Sequence, residues 1–101
     1  MRLSQQQCNV IRTAAQRAFG EQVKVWLFGS RVNDTLRGGD IDLLIETEQT
    51  NISEISRAEI GFQVELQTVL GEQKIDVLLD YPNRQSRPPI FSIARAQGVR
   101  L

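Results

Sequence analysis

The sequence predicts a small α/β (α+β) domain, a mixed sheet of three or more strands with helices packed mainly on one face. Two observations carry this. Segments with helical apolar spacing, about 4–19, 52–70 and 90–97, alternate with short apolar runs at 23–28, 40–46 and 74–79. All of them fit within 101 residues, which is room for one core and therefore for a single domain, 1–101.

In chain order, Ser4 and Gln7 form a capping-box pattern, and Ile11, Ala15, Ala18 and Phe19 recur at helical spacing before Gly20 stops the run. Val23 to Phe28 is rich in β-branched and aromatic residues and too short for a helix, so it is the first strand. Gly29 lets the chain turn, Arg31 to Leu36 has the length of a short helix, and Arg37-Gly38-Gly39 leads as a loop into the second strand, Asp40 to Glu46. Ile55, Ala58, Phe62, Leu66, Val69 and Leu70 trace one face of a long helix that Gly71 ends. Lys74 to Leu79 is the third strand, apolar except for Asp76, and Tyr81-Pro82-Asn83 turns the chain away. Pro88 and Pro89 suit the approach to a last helix, Ile90 to Gln97, before Gly98.

Composition narrows the function. Twelve basic and twelve acidic residues cancel, which leaves no field for holding a nucleic-acid backbone, so a DNA or RNA substrate is disfavoured. There is no histidine, which excludes a histidine general base and the usual zinc sets and leaves carboxylates as the metal ligands. No apolar run approaches the roughly 20 residues of a membrane span. The opening MRLSQQQ lacks a signal-peptide core, and the lone Cys8 can staple nothing within the chain. The expected compartment is the cytoplasm.

The informative stretch is Gly29 to Glu46: a strand ends in Gly-Ser, nine residues follow, and Asp40-Ile41-Asp42 opens the next strand. Residues two apart on a strand share a face, so Asp40 and Asp42 point together, with Ile41, Leu43 and Ile45 in the opposite layer. A solvent-facing strand edge is the plain alternative for this pair; against it stand the low strand propensity of aspartate and the apolar remainder of the strand. Asp76 is a natural third acid, since an unpaired carboxylate buried in an apolar strand costs several kcal/mol, roughly, unless a cation compensates it. Its plain alternative is a strand-edge carboxylate paired with Lys74 or an arginine. Asp80 and Glu46 lie at strand ends, where solvent is expected. Gly29 and Ser30 read either as an ordinary strand-to-helix turn or as phosphate-binding N–H groups at a helix start. Arg31 and Arg37 are either solvated or contacts to phosphate or to a partner. Arg84, Arg87, Arg95 and Arg100 make the C-terminal quarter basic, either as a solvated face or as a docking surface for an acidic partner or a triphosphate grip. Trp26 and Phe28 belong to the core.

Gly29-Ser30, the spacer and Asp40-Ile41-Asp42 resemble the signature of the DNA polymerase beta-like nucleotidyltransferase superfamily. With the acidic strand at Lys74 to Leu79 and a closing segment at Ile93 to Leu101, the chain resembles the minimal nucleotidyltransferase (MNT) antitoxins. The resemblance implies a nucleotidyltransferase-like fold in which Asp40, Asp42 and Asp76 are both the metal ligands and the catalytic acids, Asp76 also assisting deprotonation of the acceptor, while Gly29, Ser30 and Arg31 bind the nucleotide. Hard oxygen ligands with room for phosphate suit magnesium, and two such ions about 4 Å apart would serve an in-line displacement. ATP is the implied substrate. The larger relatives carry an additional acceptor-binding domain, so the acceptor here is expected on another polypeptide in a hetero-oligomer. The resemblance implies an antitoxin of a type VII-like toxin–antitoxin pair that transfers AMP to a tyrosine of a HEPN-family (higher eukaryotes and prokaryotes nucleotide-binding) ribonuclease toxin. The alternative is a catalytically silent module that neutralises its partner by masking. A transferase acting on an antibiotic needs a pocket that so short a chain is not expected to close.

Overall fold

The computed structural model describes residues 3–29 and 40–101. The readings made on Ser30, Arg31, the 31–36 helix and the 37–39 loop fall outside them. Three helices, α1 (Gln5–Phe19), α2 (Ile52–Leu70) and α3 (Ile90–Gln97), combine with strands β1 (Lys24–Phe28), β2 (Ile41–Glu46), β3 (Ile75–Asp80) and β4 (Val99–Arg100). The sheet runs β3-β2-β1-β4 and is mixed: β1 is antiparallel to β2 and β4, while β2 and β3 are parallel, with α2 as the crossover between them.

The helix signals act as their chemistry predicts. Ser4 Oγ accepts from the Gln7 N–H at 3.1 Å while the Ser4 N–H donates to Gln7 Oε1 at 2.9 Å, completing the capping box of α1. Asn51 caps α2 by accepting from the Glu54 N–H at 3.1 Å. Both α2 and α3 begin and end where the spacing places them.

Alternation along the strands divides the side chains between two layers. Val25 and Leu27 of β1 and Ile41, Leu43 and Ile45 of β2 face α1 and α2, where they join Ile11, Ala15, Phe62 and Leu66 in the main core. Burying each Leu, Ile or Phe there contributes roughly 1.5–3 kcal/mol. The other face is smaller: Leu44, Phe91 and Ala94 are buried, with Trp26, Phe28 and Leu78 packed against them. Two helices therefore cover one face and α3 part of the other. Trp26 and Phe28 are half-buried members of this second core.

Two details depart from the sequence reading. β4 was not anticipated as a strand; it is two residues long and gains its identity only from pairing Arg100 with Trp26 and Val99 with Leu27. Val69, expected on the buried face of α2, is 57% exposed. It lines a groove against α1 together with Gln6, Asn9, Val10 and Thr13, which do not cover it.

Side chains of α2 also peg the chain into β3. Gln63 Nε2 donates to the Ile75 carbonyl at 2.7 Å, and Gln67 both donates to the Gln73 carbonyl at 2.6 Å and accepts from the Gln73 N–H at 2.9 Å. These bonds hold β3 at its entry, next to Asp76. A slip of one residue would turn Asp76 to the other layer.

Candidate active site

Three neighbouring strand ends meet at one corner of the sheet. Phe28, the last residue of β1, is the register partner of Asp42 in β2, and Asp42 is in turn the partner of Asp76 in β3. Directly paired residues share a face, so Asp42 and Asp76 stand side by side on the α3 side of the sheet, beyond the part that α3 covers. Asp40 lies just ahead of β2, and its Oδ2 is 3.6 Å from Lys74 Nζ. Both side chains of that pair are largely exposed, so it contributes at most about 1 kcal/mol and is readily exchanged.

Gly29 is fitted to this corner. Its φ of 76° lies in the region open to glycine, and a Cβ at this position would run into the Asp42 carboxylate. The turn after β1 and the second acid of D-x-D are thus in van der Waals contact. Gly29→Ala should cost about 1–3 kcal/mol of stability and displace Asp42. Thermal unfolding followed by circular dichroism measures the first, and the transfer assay described below the second.

The electrostatics separate this couple from a second one with the same geometry. Four residues further on, about 13 Å along the strands, Glu46 and Asp80 are again register partners on the same face. There the protein supplies the cations: Arg95 Nη2 donates to Glu46 at 2.9 Å and to Asp80 at 2.5 Å, and Arg87 Nε donates to Asp80 at 2.6 Å. Burial raises the Asp80 pKa, but the hydrogen bonds from Arg95 and Arg87 outweigh it and hold the carboxyl below its ordinary value. At the Asp42–Asp76 couple no arginine intervenes among the described residues. The Asp42 carboxyl is pushed above its ordinary value by burial first, then by the charges of Asp76 and Asp40 and a hydrogen bond to Asp76, with Lys74 only partly offsetting them.

These placements correct two readings. Asp76 is exposed, because β3 is an edge strand and α3 does not reach that end, so the cost of burial is not what marks it. Asp80, expected in solvent, is only 5% exposed, because Arg87 and α3 fold over it. The C-terminal arginines are engaged within the chain, though Arg87 and Arg100 stay exposed. Arg87 and Arg95 neutralise Asp80, Arg84 donates to the carbonyls of Leu79 and Ser86 and lies over Phe91, and Arg100 lies over Trp26. A signal for the Asp80 cluster was present in the sequence as acids and arginines seven and fifteen residues apart, but only the fold brings them together.

A family model described as a nucleotidyltransferase domain matches residues 8–96, from the first turns of α1 to the last turn of α3. The chain belongs to the nucleotidyltransferase domain family. No curated protein and no solved structure matches it. The matched stretch contains all three aspartates and Gly29, and the three helices and four-stranded mixed sheet of the described residues are consistent with a nucleotidyltransferase fold.

Nucleotidyltransferases of this family generally use a nucleoside triphosphate and a divalent metal. Among the described residues, no three acidic or cysteine side chains lie close enough together to hold an ion as they stand. Asp42 and Asp76 are coupled, while Asp40 is drawn to Lys74. The donor chemistry nonetheless fits a hard divalent cation: two apposed carboxylates with no arginine partner among the described residues, and a third on a weak surface ion pair. No helix among the described residues is long and apolar enough to cross a membrane.

Proposed function

We propose that this nucleotidyltransferase domain transfers AMP from ATP to a tyrosine hydroxyl of a HEPN-family toxin and so silences it, as an MNT antitoxin. The observation that carries the catalytic part is the contrast between the two carboxylate couples. Glu46 and Asp80 are neutralised by arginines, whereas Asp42 and Asp76, identically paired on the same face, have no arginine partner among the described residues and stand beside a glycine shaped around one of them. A carboxylate couple without such partners supports a role in holding an external cation.

Asp40, Asp42 and Asp76 would hold magnesium, Asp40 by releasing Lys74. The bound metal would polarise the phosphate oxygens and stabilise the charge that develops on them. Asp76, the more exposed partner, would accept the proton of an incoming hydroxyl. The hydroxyl oxygen forms a bond to the α-phosphorus, the bond from that phosphorus to the bridging oxygen breaks, and pyrophosphate leaves. Gly29, with Ser30 and Arg31 beyond it, would supply contacts to the triphosphate. The identity of nucleotide, acceptor and metal rests on the resemblance to MNT antitoxins.

The test uses the full chain with magnesium, ATP and the toxin encoded beside it. Mass spectrometry should find one AMP on a toxin tyrosine, and the modified toxin should lose ribonuclease activity. The masking reading draws on Asp40 being held by Lys74 and on the lack of a ready three-acid group among the described residues. It is the better one if the toxin carries no AMP and is still neutralised by an Asp40→Asn/Asp42→Asn variant.

A further inference from the structure

The outer face of α2 is apolar where a surface helix should be polar. Ile60 is 66% exposed and Val64 60%, one turn apart, with Gly61 between them. A Cβ at Gly61 would meet nothing within 4 Å, so nothing inside the monomer calls for glycine there. A glycine in a helix interior costs about 1 kcal/mol relative to alanine. Beside it, α1 and α2 enclose a groove of about 450 Å³ floored by Ala14, Ala18 and Ala58 and rimmed by charge.

We propose that α2 packs against α2 of a second copy of this chain, antiparallel, with the two helices crossing at Gly61. The sequence of α2 is complementary to itself about that point. Arg57 and Glu65 stand four residues on either side of Gly61, so each Arg57 faces Glu65 of the second copy, twice per pair. Ala58 and Val64 stand three residues on either side, so each valine enters the groove over the other copy's alanine. The two glycines face each other on the axis, where the lack of a side chain lets the helices approach closely. All five residues lie along one side of the helix. A parallel pairing would set Arg57 against Arg57 and Glu65 against Glu65, so charge selects the antiparallel arrangement.

The ion pairs are available. Among the described residues Arg57 has no ion-pair partner, and Glu65 uses Oε2 for Arg17 at 2.8 Å, which leaves Oε1 for the second copy's guanidinium. The contact is on the face of the sheet opposite Asp42 and Asp76, so both acid corners stay open in the dimer. The inference does not depend on the reaction proposed above.

Sedimentation equilibrium of the full chain should show a mass that rises with concentration from 11.4 kDa toward twice that value. Val64→Glu and Arg57→Glu, both at exposed sites, should lose the dimer while keeping the circular dichroism spectrum and melting temperature of the monomer. Under oxidised glutathione, Gly61→Cys should give a disulfide-linked dimer on a non-reducing gel, because only a residue on the twofold axis meets itself. Thr68→Cys, on the same helix but off the axis, should not. A wild-type chain that stays monomeric at every concentration overturns the proposal. Equal cross-linking at positions 61 and 68, or a Val64→Glu variant that remains dimeric, overturns it as well.

Discussion

Asp42→Asn should abolish nucleotidyl transfer and at the same time make the unliganded protein more heat-stable. On the proposed function Asp42 helps hold the metal, so its loss should remove several kcal/mol of transition-state stabilisation and lower the rate on the order of a hundredfold to a thousandfold. The gain in stability comes from the same carboxylate. Its pKa is raised in the folded state by burial and by the neighbouring Asp76 and Asp40, so the native protein holds that proton more tightly than the unfolded chain. The penalty is absent below the unfolded carboxyl value, grows as pH rises, and is complete above the raised folded value. The melting temperatures of wild type and Asp42→Asn should therefore coincide in acid and separate toward neutral pH, the variant being the higher. Magnesium should reverse the order by stabilising only the wild type. Equal transfer rates at saturating magnesium and ATP would remove Asp42 from the catalytic set.

Arg95→Ala should be among the most destabilising single substitutions in the chain. It strips Asp80, whose side chain is 7% exposed, of one of its two cations and strips Glu46 of a partner, and it also removes the guanidinium stacked on Trp26. Breaking a buried ion pair by removing one partner costs about 3–5 kcal/mol, which in a domain of this size lowers the melting temperature by more than about 10 °C. The sign with pH is opposite to that at Asp42. The Asp80 carboxyl is held low despite its burial, so its contribution is present above the ordinary carboxyl value and is lost as pH falls through the lowered folded value. Wild type should lose stability over that acid range, and Arg95→Ala, already without most of this contribution, should lose less. Urea titrations at a series of pH values measure both.

The contrast between these two sites shows what the sequence could and could not convey. The long periodic elements were legible because burial follows spacing: α2 and α3 occupy their expected residues, and Ile41, Leu43 and Ile45 enter the main core as alternation requires. The D-x-D motif and the glycine before it were legible as types of residue. Their partnership was not, because the pairing of Asp42 with Asp76 spans the whole of α2 and is set by strand register and by Gln63 and Gln67, not by local pattern. For the same reason Asp80 was misplaced in solvent. Strand β4 had no signal of its own, being two residues whose strand character exists only against β1.

The pairing of β4 with β1 joins the last strand to the first, and so bears on the order of folding events. Bringing Arg100 to Trp26 closes a loop over most of the chain, an entropic cost met only after the intervening elements are in place. Until α3 docks, Arg95 is away, and the parallel β2–β3 pair carries two rows of facing carboxylates instead of one. This strand pair should therefore become firm only as α3 docks, with α3 acting as the clasp that locks it. In kinetic terms, Arg95→Ala should speed unfolding and leave the folding rate nearly unchanged in stopped-flow measurements. The native protein would then owe much of its lifetime to a contact that its transition state has not yet made.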